Sequence, residues 1–354
     1  MEAYINSVSV ISPQKTFVTS SFLDEVVQYN SNSLRCIEPA YKEYLDPVMA
    51  RRMGRVIKMS IAAASVCLKD AGLKMPDAII TGTALGCVES TEKFIVSMIQ
   101  DEERFLTPIS FMQSTHNTVG AQIALQLKCN NYNFTYVHRG FAFESALLDA
   151  MMQISDGSAK NILVGAHEEM TEKNFRIYDR VNNWKKENVP MMELLHSKTH
   201  GVLAGEGVAF FVLGNERKEQ SYAKILAVKT IYKPESQAEI ENKITELLNE
   251  KQLTIDDIDV VIYGIAGDPV QDEVYYKLMN SCFSKSTSAY FKHLSGEYQT
   301  SGSFAIWMAA MILKNQTIPK EILIGLNKHK AIKNVLVYNT FQRVNHGVFL
   351  LATV

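Results

Sequence analysis

Residues Asn133–Ile154 read NFTYVHRGFAFESALLDAMMQI. The stretch reads as a buried strand, a sharp turn and an amphipathic helix, with the hydrophobic spacing changing from strand-like to helical across the turn. A strand-turn-helix elbow is where many enzymes mount a nucleophile, because the turn lifts one side chain clear at a helix N-terminus. Here the turn holds Gly140, which has no side chain to present.

Outward from the elbow, strands alternate with helices, the pattern of layered α/β proteins. Residues 51–73, RRMGRVIKMSIAAASVCLKDAGL, have apolar positions at helical spacing and a C-terminal Gly72 cap. DAIITGTALG follows as a short strand running into a Gly loop, then HNTVGAQIALQLK as a helix rich in small residues. Beyond the elbow, NILVGAHEEM and GVAFFVLGNE read as buried strands. The order then recurs. ENKITELLNEKQL is a helix, IDVVIYGIAGD a strand with a Gly loop, and NVLVYNTFQ and GVFLLATV are strands. SGSFAIWMAAMILKN is apolar on nearly every side, which implies a helix buried all round. DAIITG resembles DVVIYG, NILVGAHEE resembles NVLVYNTFQ, and GVAFFVL resembles GVFLLATV. The reading is of two similar halves in one compact unit, residues 1–215 and 216–354, joined by the polar connector NERKEQ.

The chain of 354 residues carries a net charge of -2, with 47% hydrophobic and 21% charged residues, and is long enough for a sizeable core. Lys and Arg do not cluster, so nothing marks a nucleic-acid surface. The N-terminal sequence lacks a signal-peptide pattern and no apolar run reaches membrane-spanning length, so a cytoplasmic location is expected. The five cysteines are scattered without CxxC spacing, which argues against a metal cluster or disulfide framework.

These segments resemble, in order, the β-ketoacyl-acyl-carrier-protein synthases of the thiolase fold. The Arg51 helix resembles the synthase helix that opens Arg-Arg-Met and ends Asp-Ala-Gly-Leu. HNTVGAQIAL is similar to a segment where Asn precedes a small-residue turn and helix. NILVGAHEE is similar to the strand ending Gly-Gly-Ala-Glu, and AGEGVAFFVL, with Glu206, to the Gly-Glu-Gly strand start. FKHLSGE is similar to the loop that reads Lys-x-x-x-Gly-His. The resemblance implies a duplicated α/β/α/β/α fold.

Synthase chemistry uses a Cys thiolate at the elbow, its pKa lowered by the helix N-terminus, to hold the acyl group. Two His residues polarise the malonyl carbonyl and stabilise the enolate. Carried over, the Cys position is Gly140, the first His position Gly264 and the second Glu297, while the Lys is retained as Lys292. The C-terminal loop Asn-x-Phe-Gly-Phe-Gly-Gly reads NTFQRVNHG, with Gln342, Arg343 and Val344 in place of glycines. Phe141 and Phe143 are expected to fill space meant for an acyl chain. Arg139 stands where a small residue is expected. An Arg139–Glu297 ion pair is expected in the vacated pocket, because a buried unpaired carboxylate is costly.

The resemblance further implies a subunit contact around His116 and Asn117, and an acyl-tunnel segment LTPISFMQ with Leu106, Phe111 and Met112 at its floor. Relative to the family, loop sequence near 229–238 is missing. Structural hydrogen bonding is expected of His116 and His138. Cys87 reads as a small packing residue. His167, Glu168 and Glu169 have metal-ligand chemistry, but adjacent strand residues point to opposite faces. Neither metal nor cofactor is expected.

The resulting expectation is a ketosynthase-like, non-catalytic subunit of the chain-length-factor type. Its partners would be an active ketosynthase, or a second copy of itself, and an acyl carrier protein in polyketide, aryl polyene or fatty-acid-like synthesis. Two alternatives stay open. One is a divergent acyltransferase or malonyl decarboxylase using His138, Lys292 and Glu297. The other is a homodimeric protein binding acyl chains or an acyl carrier protein.

Overall fold

The computed structural model describes residues 1–17, 22–328 and 331–354. Its strands are β1 Ala3–Ile11, β2 Asn30–Ser31, β3 Ala78–Gly82, β4 Tyr132–Tyr136, β5 Asn161–Glu168, β6 Val189–Pro190 and β7 Gly207–Gly214. They continue with β8 Ala223–Tyr232, β9 Val260–Tyr263, β10 Thr287–Tyr290, β11 Leu323–Ile324, β12 Asn334–Phe341 and β13 Asn345–Ala352. The α-helices are α1 Pro47–Ala50, α2 Arg55–Asp70, α3 Val88–Gln100, α4 Pro108–Ser114, α5 Thr118–Leu127 and α6 Ala142–Asp156. Next come α7 Glu172–Arg180, α8 Gln237–Glu250, α9 Pro269–Asn280, α10 Lys292–Ser295 and α11 Gly302–Asn315. No helix among the described residues is long and apolar enough to cross a membrane.

Apart from the small β2–β6 pair, the strands form one sheet ordered β11-β10-β9-β12-β13-β8-β1-β7-β5-β3-β4. The order contains a repeat. β4-β3-β5-β7-β1 and β10-β9-β12-β13-β8 are the same arrangement, with the second strand of each set, β3 or β9, parallel to both neighbours and the remaining pairs antiparallel. The two sets meet where β1 pairs with β8 at Ala3–Ile5.

Strand alternation sorts side chains into layers. Ile80, Val164, Phe211, Ile262 and Val337 face a central core that contains Phe143 and Leu147 of α6 and Phe304–Leu313 of α11. Ile79, Leu163, Phe210 and Val212 face a second cluster built on α2. Val261, Tyr263, Leu336 and Tyr338 face a third, built on α8 and α9. The layers therefore run helix, sheet, helix pair, sheet, helix, the expected α/β/α/β/α arrangement. Every residue of α11 from Gly302 to Leu313 is buried, as its composition predicts.

The elbow strand differs from its sequence reading. β4 is the edge of the sheet, and Tyr132 and Phe134 are each 46% exposed. Its hydrophobicity marks an open face of this chain rather than the interior.

Glu206 ties the first set of strands together. Its carboxylate takes both terminal nitrogens of Arg55, each at 2.6 Å, and the backbone N–H groups of Cys36 and Met170 at 2.8 and 2.9 Å. Three separate segments thus converge on one fully buried acid. Removing it leaves Arg55 and two N–H groups unsatisfied. Glu206→Ala is expected to destabilise the fold by about 3–5 kcal/mol, with Glu206→Gln less severe. Denaturant unfolding tests this, and a loss below about 1 kcal/mol contradicts the anchoring role.

Candidate functional site

The elbow forms as its sequence implies. β4 ends at Tyr136, whose carbonyl accepts from Thr83 N–H at 3.0 Å. A short 3-10 turn, Arg139–Phe141, then leads directly into α6. Arg139 adopts a left-handed backbone (φ 42°), which is uncommon for a residue with a side chain. Gly140 is buried at the centre of this turn.

Gly140 has no room for a side chain. A Cβ built there would lie 2.7 Å from Phe341 Cβ and 3.0 Å from Asn345 Cβ. Phe341 ends β12, and the following turn has Gln342 and Arg343 both left-handed (φ 54° and 55°) before β13 begins at Asn345. This hairpin occupies the space a nucleophile would need.

Gly264 is crowded by other groups. A Cβ there would lie 2.2 Å from Asn339 Oδ1, 2.6 Å from the Tyr275 hydroxyl and 3.1 Å from Lys292 Cε. Lys292 is buried, and its ammonium donates to Glu297 Oε2 at 2.6 Å and to the Thr340 carbonyl at 3.1 Å. Ser301 Oγ donates to Glu297 Oε1 at 3.4 Å. The Tyr275 hydroxyl accepts from Thr340 N–H at 3.0 Å. Burial pushes the Glu297 carboxyl up, and the adjacent Lys292 ammonium opposes that rise.

Gly140, Gly264, Lys292 and Glu297 therefore converge on three consecutive residues. Phe341 covers Gly140, Asn339 covers Gly264, and Thr340 binds Lys292. The sequence reading names the four converging positions but not the hub. Its available signal is the Asn-x-Phe spacing of Asn339 and Phe341, which matches the start of the C-terminal loop motif.

The expected Arg139–Glu297 ion pair does not form. Glu297 is buried and paired with Lys292, whereas Arg139 is exposed. The reason is local. Glu297 follows the short α10 by two residues, so Lys292, five positions earlier, folds back onto it more directly than any elbow residue can.

Phe143 lies in the central core, 5.9 Å from the Phe211 ring and 6.1 Å from Phe349. Phe141 instead stacks on His138, with centroids 5.6 Å apart and planes 6° from parallel. Phe111 and Met112 of α4 are more than half exposed, at 56% and 59%, and Phe111 packs on Phe94 at 5.3 Å. Leu106 is half-buried, and His116 and Asn117 are exposed before α5. These residues and β4 form a second region, removed from the Lys292–Glu297 cluster. Cys87 is buried at the start of α3, with its thiol pushed up to about 12 by burial.

His167 is buried, and burial holds its imidazole down at about 3. Glu168 accepts from Thr83 Oγ1 at 3.0 Å and from the N–H groups of Ala84 and Leu85, and Glu169 accepts from Glu89 N–H at 3.0 Å. Glu168 thus holds loop backbone and Glu169 the first turn of α3.

Glu144, in the first turn of α6, is buried with Oε2 unpartnered, and burial pushes its pKa up to about 8. Glu168 is likewise pushed up to about 8 by burial. Native protein then retains protons that the unfolded chain has released, so stability falls as pH rises. Buried His167 and His293, both held at about 3, oppose this trend only below the ordinary imidazole value of 6.5. Stability is therefore expected to decline from roughly pH 6.5 to 8, and Glu144→Gln to flatten the decline. Denaturation midpoints across that window check it, and a rise toward pH 8 contradicts it.

Gly140→Cys is expected to destabilise the protein by about 1–3 kcal/mol through overpacking against Phe341. Combining it with Phe341→Gly, which removes the Cβ that lies 2.7 Å away, should give a loss smaller than the two single losses added together. Additive losses in denaturant unfolding would refute the contact.

The sequence profile of the β-ketoacyl synthase N-terminal domain matches residues 30–207, half of the chain. A search of curated proteins gave no match. Among solved structures, the ishigamide ketosynthase/chain length factor superposes with a TM-score of 0.79 at 17% identity, covering 100% of this chain and 99% of that one. AntDE:AntF, a type II PKS acyl-carrier protein in complex with its ketosynthase bound to the hexaketide, gives 0.77 at 16% identity over 100% and 99%. The ketosynthase ApeO in complex with its chain length factor ApeC, from Xenorhabdus doucetiae, gives 0.74 at 12% identity over 99% and 98%. These likenesses concern the fold, whereas the profile match concerns the sequence itself and falls on the half that contains the elbow. The chain belongs to the β-ketoacyl synthase family.

Proposed function

We propose that this chain is a non-catalytic ketosynthase-like subunit of the chain-length-factor type. It pairs with an active β-ketoacyl synthase that works on an acyl carrier protein, in polyketide, aryl polyene or fatty-acid-like synthesis. The observation that carries this reading is the closed elbow, where Phe341 leaves no room for a side chain on Gly140. Claisen condensation needs an acyl-bearing nucleophile there. Decarboxylation needs donors aimed at a carbonyl, but Lys292 is engaged by Glu297 and Thr340. Asn339 and Tyr275 crowd the Gly264 position. These contacts argue against the enzymatic alternative.

The partner role is supported by the open edge of the sheet. β4 has unpaired backbone on one side, and Tyr132, Phe134 and Val137 are each about half exposed (46%, 46% and 49%). Beside it, α5 exposes Leu125 at 62% and α4 exposes Phe111 and Met112. A cavity of about 780 Å³ on the same face is lined by Asn117, Leu125, Asn133 and Phe134. An apolar edge strand left bare invites pairing with another chain. The tunnel residues Leu106, Phe111 and Met112 then face the partner, and His116 and Asn117 flank the contact.

Residues 1–215 and 216–354 are read as duplicated halves of one unit, a division that the repeated strand order supports. A cytoplasmic location belongs to the same proposal.

Co-expression with an intact Cys-His-His synthase, one chain tagged, followed by native mass spectrometry tests the pairing. A one-to-one complex whose chain extension is lost without this subunit is the expected result, and a homodimer that ignores the synthase contradicts it. Phe134→Asp should weaken the complex at least about tenfold, because it buries a charge at the centre of an apolar contact. Wild-type affinity for that variant would remove β4 from the interface.

A further inference from the structure

A second cavity lies outside the closed elbow. Its volume is about 780 Å³, within the range of small-molecule sites, and it is lined by His138, Arg139 and Phe141 of the elbow and by Thr230, Tyr232 and Asn345. Gly264, Lys292 and Glu297 do not line it, so it is distinct from the buried polar cluster. Tyr232 ends β8 and is 61% exposed.

Three observations define what this cavity accepts. The Arg139 carbonyl accepts from Ala142 N–H, but its guanidinium makes no hydrogen bond or ion pair among the described residues, and its backbone is left-handed. No Asp or Glu lines the cavity, so the positive charge of Arg139 is unopposed there. The walls also carry aromatic and apolar side chains. His138 and Phe141 stack within 6° of parallel, and Val137 and Val344 add to the lining. A guanidinium presents a planar donor fork that matches a carboxylate in two parallel hydrogen bonds. A planar unsaturated body suits the aromatic faces.

We propose that this cavity is a binding site for a small carboxylate with an aromatic or conjugated body, with Arg139 holding the carboxylate and the His138–Phe141 pair supporting the planar part. Thr230 and Asn345 supply further polar contacts. The site is non-covalent and involves no bond making. The proposal rests on this cavity alone, and Val137 is the one lining residue it shares with the proposed contact face.

The test is titration of the full chain with trans-cinnamate at low salt, read by isothermal calorimetry and by saturation-transfer NMR. Saturable binding is expected. Cinnamyl alcohol, which lacks the charge, should bind at least about tenfold more weakly, and Arg139→Gln should cost at least about tenfold for cinnamate. Arg139→Gly is the second variant, because glycine accepts the left-handed backbone of that position and keeps the fold secure. It should lose cinnamate to the same extent. Absence of saturable binding by the wild type overturns the proposal, and so does binding that Arg139→Gly leaves unchanged. Equal affinity for the alcohol, or displacement by inorganic phosphate at concentrations where chloride has no effect, overturns the carboxylate assignment.

Discussion

The carboxylate of Glu206 is the point on which the first half of the molecule is hung. It sits where a loop turns into β7, inside a part of the protein that offers no water. A charge in such a place persists only when its lone pairs are filled. Arg55 fills two of the positions from the start of α2, and the backbones of Cys36 and Met170 fill others. Met170 lies just beyond β5, so the same acid fixes where that strand ends. The strands flanking β3 and the elbow are therefore set by an electrostatic requirement of the fold, independent of whether the elbow carries a reactive group.

That independence explains how the elbow forms with a glycine at its centre. The turn from β4 to α6 is held by backbone hydrogen bonding and by the burial of Phe143, Ala146 and Leu147 in the central core. None of those contacts involves a side chain at residue 140. The hairpin at Phe341 could therefore close over the position without disturbing the helix behind it. In the same way, Lys292 has Glu297 as a counter-ion, and so is satisfied while buried.

Much of this was legible in the sequence, for a physical reason in each instance. The length and unbroken apolarity of SGSFAIWMAAMILKN leave a fully buried helix as the only economical packing, and α11 is that helix. Gly140 is visible as an absence because the flanking strand and helix signals are strong. Other features were not legible. The aromatic alternation of β4 looks the same whether it faces a core or a partner, since hydrophobicity reports burial without saying by what. The counter-ion of Glu297 depended on a five-residue fold-back through α10, which residue types alone do not specify. The closure by Phe341 needed a contact across 201 positions of chain (341 − 140), beyond any local pattern.

The two copies of the strand arrangement end differently. In the second copy the outer strand β10 is covered by the short β11, while in the first the outer strand β4 is bare. The two ends of the sheet therefore offer unequal templates, since β11 presents two residues of backbone and β4 presents five. Strand addition gains more hydrogen bonds at β4 than at β11, so a chain that adds a strand does so more readily at one end of the sheet than at the other. The brevity of β11 thus blunts the end at which it stands.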